Sequence, residues 1–168
     1  MPKLTDALVA ELDQEASITR RVLERVPNDQ LAWAPHARSM SLGRLALHVA
    51  NIQGFFGKAL REDSLDITKV ERGNPEPASA SELVSTFEKN YGIAKEFLNG
   101  LDDSRAVAPW SFLRDGKVMV TGPRIAMIRV LMLNHQYHHR GQLSVYLRLL
   151  NIPVPPIYGP SADENPFA

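Results

Sequence analysis

The sequence predicts an all-α protein, a four-helix bundle with a long loop between its second and third helices. Apolar residues recur at three- and four-residue steps in four separate stretches of the chain, which is the helical period. No convincing sheet pattern interrupts them. With 168 residues, of which 44% are apolar, the chain suits a single globular domain over residues 1–168.

The first two helices have clear apolar stripes. The first is predicted from about Leu4 to Val26, and Pro27-Asn28-Asp29 ends it. The second is predicted to begin near Ser39 or Ser41, because either hydroxyl can cap the N-terminal amides. Its stripe then follows at helical steps: Leu42, Leu45, Val49, Ile52, Phe56 and Leu60.

The stretch of residues 62–77 is polar, has no period and contains Gly73, Pro75 and Pro77, so it is predicted as the long inter-helix loop. The third helix is predicted to begin after it, at the capping-box pattern Ser79-Ala-Ser-Glu82, and to close at Asn99-Gly100. Its apolar positions are Leu83, Phe87, Tyr91, Ala94 and Leu98.

A small insertion is predicted before the last helix. Two short β-prone runs between Pro109 and Thr121 flank Asp115-Gly116, which indicates a hairpin, with a small irregular loop as the alternative. The fourth helix is predicted to start at about Gly122-Pro123, with proline in its first turn, and to run to about Leu150.

The chain has five histidines and no cysteine, which excludes disulfides, thiolate metal sites and a cysteine nucleophile. His135 and His139 are four residues apart on the fourth helix, so their rings share one face, about 6 Å apart at Cβ. Two imidazoles in that arrangement can bind one metal ion. His48 lies on the apolar side of the second helix and completes a three-histidine site if the two helices are neighbours. A hydrogen-bonded place in the core is the simpler alternative for each of them.

Neighbouring residues narrow the chemistry of such a site. Gln136 follows His135 where a zinc protease of the His-Glu-x-x-His type needs a glutamate as general base, which argues against protease chemistry. No histidine has a glutamate three residues before it, which excludes a di-iron carboxylate bundle. Asn51, His138 and Gln142 are candidates to orient the imidazoles. The alternatives are amides bonded to the backbone and, for His138, a place at an interface.

The charge balance argues against large anionic partners. Lysine plus arginine and aspartate plus glutamate both number 19, so no overall field draws the chain to nucleic acid or to an anionic membrane. The N-terminus lacks a signal-peptide pattern, and the longest apolar stretches are too short to span a bilayer. We therefore expect a cytoplasmic protein with neither nucleic acid nor membrane as a partner.

Three segments resemble one known family. Ser39-Met-Ser-Leu-Gly-Arg-Leu-Ala-Leu-His48, Asn134-His-Gln-Tyr-His-His-Arg-Gly-Gln-Leu143 and the stretch 153–163 are similar, in order and spacing, to the DinB-like family of metal-binding four-helix bundles. The resemblance implies a divalent metal, commonly zinc or nickel, bound by His48, His135 and His139. The family is named for the DNA-damage induction of one member, which implies no binding to DNA.

The activity that the resemblance implies is less uniform. Relatives in the family include transferases that activate a low-molecular-weight thiol and isomerases that use a thiol cofactor, and many members are homodimers. We therefore expect a metal-dependent thiol transferase or hydrolase acting on a small electrophile, with an external thiol as a possible second cofactor. Glu11, Glu15 and His138 are candidate proton carriers. The alternative is a non-catalytic metal- or ligand-binding stress-response protein.

Overall fold

The computed structural model describes residues 2–71 and 76–167, and it is mostly helical, with a small sheet. Gly73 and Pro75 of the predicted loop lie outside the described residues. The elements, in chain order, are α1 (Asp6–Leu23), α2 (Leu42–Ala59), β1 (Ser64–Asp66), α3 (Ala80–Gly100), α4 (Asp103–Val107), β2 (Pro109–Arg114), β3 (Lys117–Pro123), α5 (Arg124–Met127) and α6 (His135–Leu149). A π-helix, Ile128–Asn134, joins α5 to α6, and short 3-10 turns occupy Asn28–Gln30 and Ile67–Lys69.

The predicted stripe of α2 is confirmed as core. All six of its apolar residues, from Leu42 to Leu60, are buried. Ser41 is the capping residue, because its hydroxyl accepts a hydrogen bond from the amide of Arg44 at 3.2 Å. No helix of the described residues is long and apolar enough to cross a membrane.

The start of α3 differs in detail from the predicted capping box. Ser79 precedes the helix, but its hydroxyl contacts Ser81 rather than a helical amide. Asn28 supplies the missing acceptor, because its side-chain oxygen receives the amide of Ala80 at 3.0 Å. Glu82 does reach back, accepting the amide of Ala78 at 2.7 Å. Asn28, which is distant in the sequence, therefore takes the place of Ser79 in the predicted capping box. Sequence spacing alone does not indicate such a partner.

The long helices pack pairwise, α2 against α3 and α6, and α1 against α3 and α6. Their buried apolar residues form two clusters along the helices, one around Phe56 and Met132 and the other around Leu45 and Leu143. A layer of buried polar and charged side chains adds to these clusters: Glu15, Thr19, Gln53, Gln136 and Arg140. The site described below lies on α2 and α6, which both contribute residues to these clusters.

The expectation of an all-α chain is wrong in one respect, because a three-stranded sheet is present in the order β1-β2-β3. The predicted hairpin is confirmed, and Asp115 and Gly116 both have positive φ (52° and 72°), as a two-residue hairpin turn requires. β1 pairs in parallel with β2, with Leu65 opposite Phe112. The sequence predicted a loop there because three residues are too few to show an alternating pattern.

The predicted fourth helix begins later than expected and is not a single α-helix. Gly122 and Pro123 belong to β3, and helical structure starts at Arg124. The guanidinium of Arg124 is buried and donates to the carbonyl of Leu60 at 2.7 Å and to the carboxylate of Asp63 at 2.6 Å, which ties α5 to the end of α2. The π-helix follows and ends immediately before His135. Its apolar residues recur closely enough to the α-helical period that the sequence does not reveal it.

Candidate metal centre

The structure brings His48, His135 and His139 together at the contact between α2 and α6. Each histidine offers one ring nitrogen, and these three nitrogens all lie within 4.8 Å of one another. The Nε2 atoms of His48 and His135 are 3.3 Å apart. The ring centroid of His48 is 5.1 Å from that of His135 and 4.4 Å from that of His139. The helices α2 and α6 are therefore neighbours, which is the condition for the predicted three-histidine site.

The nitrogen spacing suits a divalent metal ion. Two nitrogens bound at about 2.0–2.1 Å to a tetrahedral ion are about 3.3 Å from each other, which is the distance between Nε2 of His48 and Nε2 of His135. A single N–H···N hydrogen bond between His48 and His135 would have the same length, but such a bond involves only these two rings. A hydrogen bond between His48 and His135 does not explain why a third ring lies here, that of His139, with its centroid 4.7 Å from that of His135. The donor set therefore fits a metal with three imidazole ligands.

The surroundings keep the imidazoles neutral. Burial, together with the neighbouring rings of His139 and His135, lowers the pKa of His48 to about 4. Burial also lowers the pKa values of His135 and His139. The edge of Phe56 contributes to this environment, with its ring centroid 5.7 Å from that of His135. Neutral imidazole is the form that binds metals, so the three rings are ready to act as ligands at pH 7.

Gln142 holds His139 in one orientation. The side-chain oxygen of Gln142 lies 2.7 Å from Nδ1 of His139. An amide oxygen only accepts, so Nδ1 carries the proton and the lone pair of Nε2 is free for a metal. This tautomer of His139 follows from the assignment of the oxygen and nitrogen atoms in the side-chain amide of Gln142. Gln142 thus has the geometry that the sequence led us to expect.

The other two predicted orienting residues differ from Gln142. His138 is exposed, and its ring lies edge-on to His139 with 4.8 Å between centroids. The side-chain oxygen of Asn51 accepts from Asn90 at 3.0 Å, so its partner on α3 is an amide and not an imidazole. Asn51 stands one helical turn from His48 and faces a groove described below. His36 is exposed in a loop, away from the three rings.

Arg140 has a role that the sequence did not reveal. Its guanidinium crosses to α1, where Nη1 lies 2.6 Å from a carboxylate oxygen of the buried Glu15. It also donates to the hydroxyls of Thr19 and Tyr158, at 3.1 Å and 2.6 Å. The sequence contained one indication of this buried partner, because Glu15 stands three residues after Leu12 on the apolar stripe of α1.

The two glutamates considered as proton carriers are engaged elsewhere. Glu11 pairs with Arg129 and accepts the hydroxyl of Tyr137 at 2.7 Å, and the hydrogen bond from Arg129 lowers its pKa. Glu15 is held by Arg140. Among the described residues, the metal-ligating cluster consists of the three histidines and contains no carboxylate. Neither glutamate belongs to that cluster, and their role as proton carriers stays a prediction.

Comparison with known proteins agrees with the family resemblance and the fold. The model of the DinB family matches residues 1–166. The protein YrdA of Bacillus subtilis (strain 168) is 24% identical over 95% of this chain and 90% of its own length. The protein YjoA of the same organism is 23% identical over 92% of this chain and 96% of its own length.

Solved structures share the fold. A DinB-like protein from Bacillus cereus ATCC 10987 superposes with a TM-score of 0.72 at 23% identity, covering 91% of this chain and 97% of that one. The crystal structure of the DinB-like YjoA of Bacillus subtilis also gives a TM-score of 0.72, at 18% identity, covering 91% and 98% of the two chains. At these identities the likeness shows the fold alone.

Proposed function

Because this chain belongs to the DinB family, we propose that it binds a divalent metal ion through His48, His135 and His139, with zinc or nickel as the expected metal. One observation carries the proposal, the convergence of three ring nitrogens within 4.8 Å. Three protein ligands leave at least one coordination position for water or substrate, which is the arrangement of catalytic rather than structural sites.

We propose that the protein is a metal-dependent enzyme in which an external low-molecular-weight thiol, or water, attacks a small electrophile. A divalent metal bound by neutral ligands lowers the pKa of a thiol or water at its open position. The thiol must come from outside, because the chain has no cysteine. Gln142 holds His139 in place, and we assign the acceptance of the nucleophile's proton to the exposed ring of His138, whose centroid is 4.8 Å from that of His139.

A second candidate is a non-catalytic metal- or ligand-binding protein. It is favoured by the engagement of Glu11 with Arg129 and of Glu15 with Arg140, which leaves the cluster without a carboxylate base among the described residues. A thiol needs such a base less than water does, because its own pKa is much lower. The thiol reaction is therefore better supported than hydrolysis.

Metal analysis tests the proposal. We expect close to one equivalent of divalent metal in the purified protein, and large losses in His135→Ala and His139→Ala. His36→Ala is the matched control, since it removes an exposed histidine and should keep the metal. Unchanged metal content in both site variants would overturn the three-histidine site.

The reaction needs a separate experiment. Zinc- and nickel-loaded protein should consume thiol in the presence of small electrophiles such as epoxides and alkyl halides, and the His135→Ala variant should not. Stoichiometric metal without thiol or water chemistry over such a panel would favour the second candidate.

We also propose a four-helix bundle architecture, a homodimer and a cytoplasmic location. Packing of α1 and α2 against α3 and α6 supports the bundle. The apolar side chains of Val145 and Leu149, each 56% exposed on α6, support an interface between two copies. Light scattering after size exclusion should give twice the mass of the chain, and Val145→Glu should reduce it to the monomer.

A further inference from the structure

A groove adjoins the three histidines along α2. Its volume is about 570 Å³, within the range of small-molecule sites. It is lined by Asn51, Gly54, Phe55, Lys58 and Ala59 of α2 and by Asn90 of α3. Asn51 and Phe55 follow His48 by one and two helical turns, so the groove runs along the helix from the histidine cluster.

The amides of this groove have a determined orientation. Asn90 donates from Nδ2 to the backbone carbonyl of Ala50, which can only accept, so its nitrogen is identified. The same nitrogen lies 3.0 Å from the side chain of Asn51, whose nearer atom must therefore be the oxygen. The NH2 group of Asn51 is left to donate into the groove.

Gly54 makes room for this arrangement. A Cβ at that position would lie 2.7 Å from Cβ of Asn90 and still closer to its amide, so any other residue would displace Asn90. The close approach keeps Asn90 against the backbone of Ala50 and Asn51 against Asn90. The donor on the groove wall is thus held in place before any ligand arrives.

The charges around the groove favour an anion. On α3, which forms the other wall of the groove, Glu88 pairs with Arg20 and Glu96 with Arg61, and neither α2 nor the stretch of residues 124–149 contains an aspartate or glutamate. The four arginines of the latter stretch are each paired with a carboxylate elsewhere: Arg124 with Asp63, Arg129 with Glu11, Arg140 with Glu15 and Arg148 with Asp163. By contrast, Lys58 in the groove and Arg44, one turn before His48, form no ion pair within residues 2–71 and 76–167.

We propose that this groove binds a small carboxylic acid, with its carboxylate held by Nζ of Lys58 and the NH2 group of Asn51 and its hydrocarbon part against Phe55. Two donors suit the two oxygens of a carboxylate. The inference rests on the proposed function, in that such an acid would be the substrate or the thiol used at the three histidines.

Helix geometry limits the length of the acid. Asn51 and Lys58 follow His48 by three and ten residues, so a carboxylate between them lies about 10 Å along the axis from His48. The reacting group of the acid must therefore be several bonds from its carboxylate. An acid as short as acetate cannot contact the donors of the groove and the three histidines at the same time.

Binding of hexanoate, with hexanamide as its neutral counterpart, tests this proposal by amide chemical-shift titration of the purified protein. We expect hexanoate to bind at least ten times more tightly than hexanamide and to shift the amides of α2 residues in the groove. Lys58→Gln and Asn51→Asp should each remove this preference. Lys89→Gln, which removes an exposed lysine of α3, should preserve it.

The His135→Ala variant separates this proposal from the metal proposal, because zinc can itself bind carboxylates. The preference for hexanoate should persist in that variant and disappear in Lys58→Gln. Equal binding of acid and amide, loss in Lys89→Gln to the same degree, or loss in His135→Ala with retention in Lys58→Gln would each overturn the carboxylate site. Failure of the metal site would appear instead in the metal content of the purified protein.

Discussion

Glu15 and Arg140 form an ion pair in the interior, with Nη1 of Arg140 2.6 Å from a carboxylate oxygen and side-chain exposures of 6% and 1%. Tyr158 completes the pair, donating to Glu15 at 3.0 Å and accepting from Arg140 at 2.6 Å. Arg140 directly follows His139, so the pair ties α1 to the helix that supplies two of the three histidines.

Breaking this ion pair should be costly. Glu15→Gln leaves a buried cation without its partner, and we expect a loss of about 3–5 kcal/mol in the free energy of unfolding. The double variant Glu15→Gln/Arg140→Met removes both charges and should be more stable than either Glu15→Gln or Arg140→Met alone. Urea denaturation of the three variants and the wild type measures this. A double variant as unstable as the sum of its singles would show that the two charges do not interact.

Gln142 should tune metal affinity. Gln142→Leu removes the acceptor for Nδ1–H of His139 while leaving all three histidines, and we expect affinity to fall by roughly 10–100-fold. Gln142→Glu keeps an acceptor at this position and should retain most of the affinity. Competition with a chromophoric chelator measures both. Equal affinity of the leucine variant and the wild type would remove this role from Gln142.

Acidification should destabilise the metal-free protein between pH 6.5 and about 4. Burial, with a smaller effect of His139 and His135, lowers the pKa of His48 from 6.5 to about 4. In that window the unfolded chain binds a proton at His48 that the folded chain does not, so the free energy of unfolding falls as pH falls. Above pH 6.5 both states are neutral at His48 and its contribution is constant.

The variant His48→Gln isolates this effect. It cannot take up a proton, so its stability should decline less steeply than that of the wild type over the same range. Chemical denaturation at several pH values in the presence of a chelator gives the two profiles. Parallel profiles would contradict the lowered pKa.

Two glycines should respond oppositely to alanine. At Gly57 of α2 a Cβ would lie 3.0 Å from Cα of Ala94 on α3, so Gly57→Ala should force the helices apart and cost about 1–3 kcal/mol. Gly92 of α3 has open space around such a Cβ, and Gly92→Ala should stabilise by about 0.5–1 kcal/mol. Thermal denaturation of both variants tests the pair. Stabilisation by alanine at Gly57 would contradict the close approach.

The histidine cluster could be predicted because its signals are local. The spacing of His135 and His139 places two rings on one face, and His48 stands in an apolar stripe that had to meet another helix. The hairpin was equally local, because Asp115-Gly116 satisfies a turn that needs positive φ twice.

The features that sequence reasoning missed depend on distant partners. The strand Ser64–Asp66 exists because β2 lies beside it, and three residues carry no pattern of their own. Arg140 is buried because Glu15, 125 positions earlier in the chain, meets it across the interior. The groove next to His48 similarly needs Asn90 of α3, which no spacing on α2 indicates.

The π-helix Ile128–Asn134 means that the chain carries a surplus residue just before the histidine pair. Each π-turn closes over one residue more than an α-turn. The same residues wound as a regular α-helix would rotate α6 by about 100° and turn His135 and His139 away from His48. Deleting the exposed Val130 should therefore preserve the alignment of the three rings, whereas a deletion between His135 and His139 should abolish it. Homologous chains one residue shorter at this point can keep the same site.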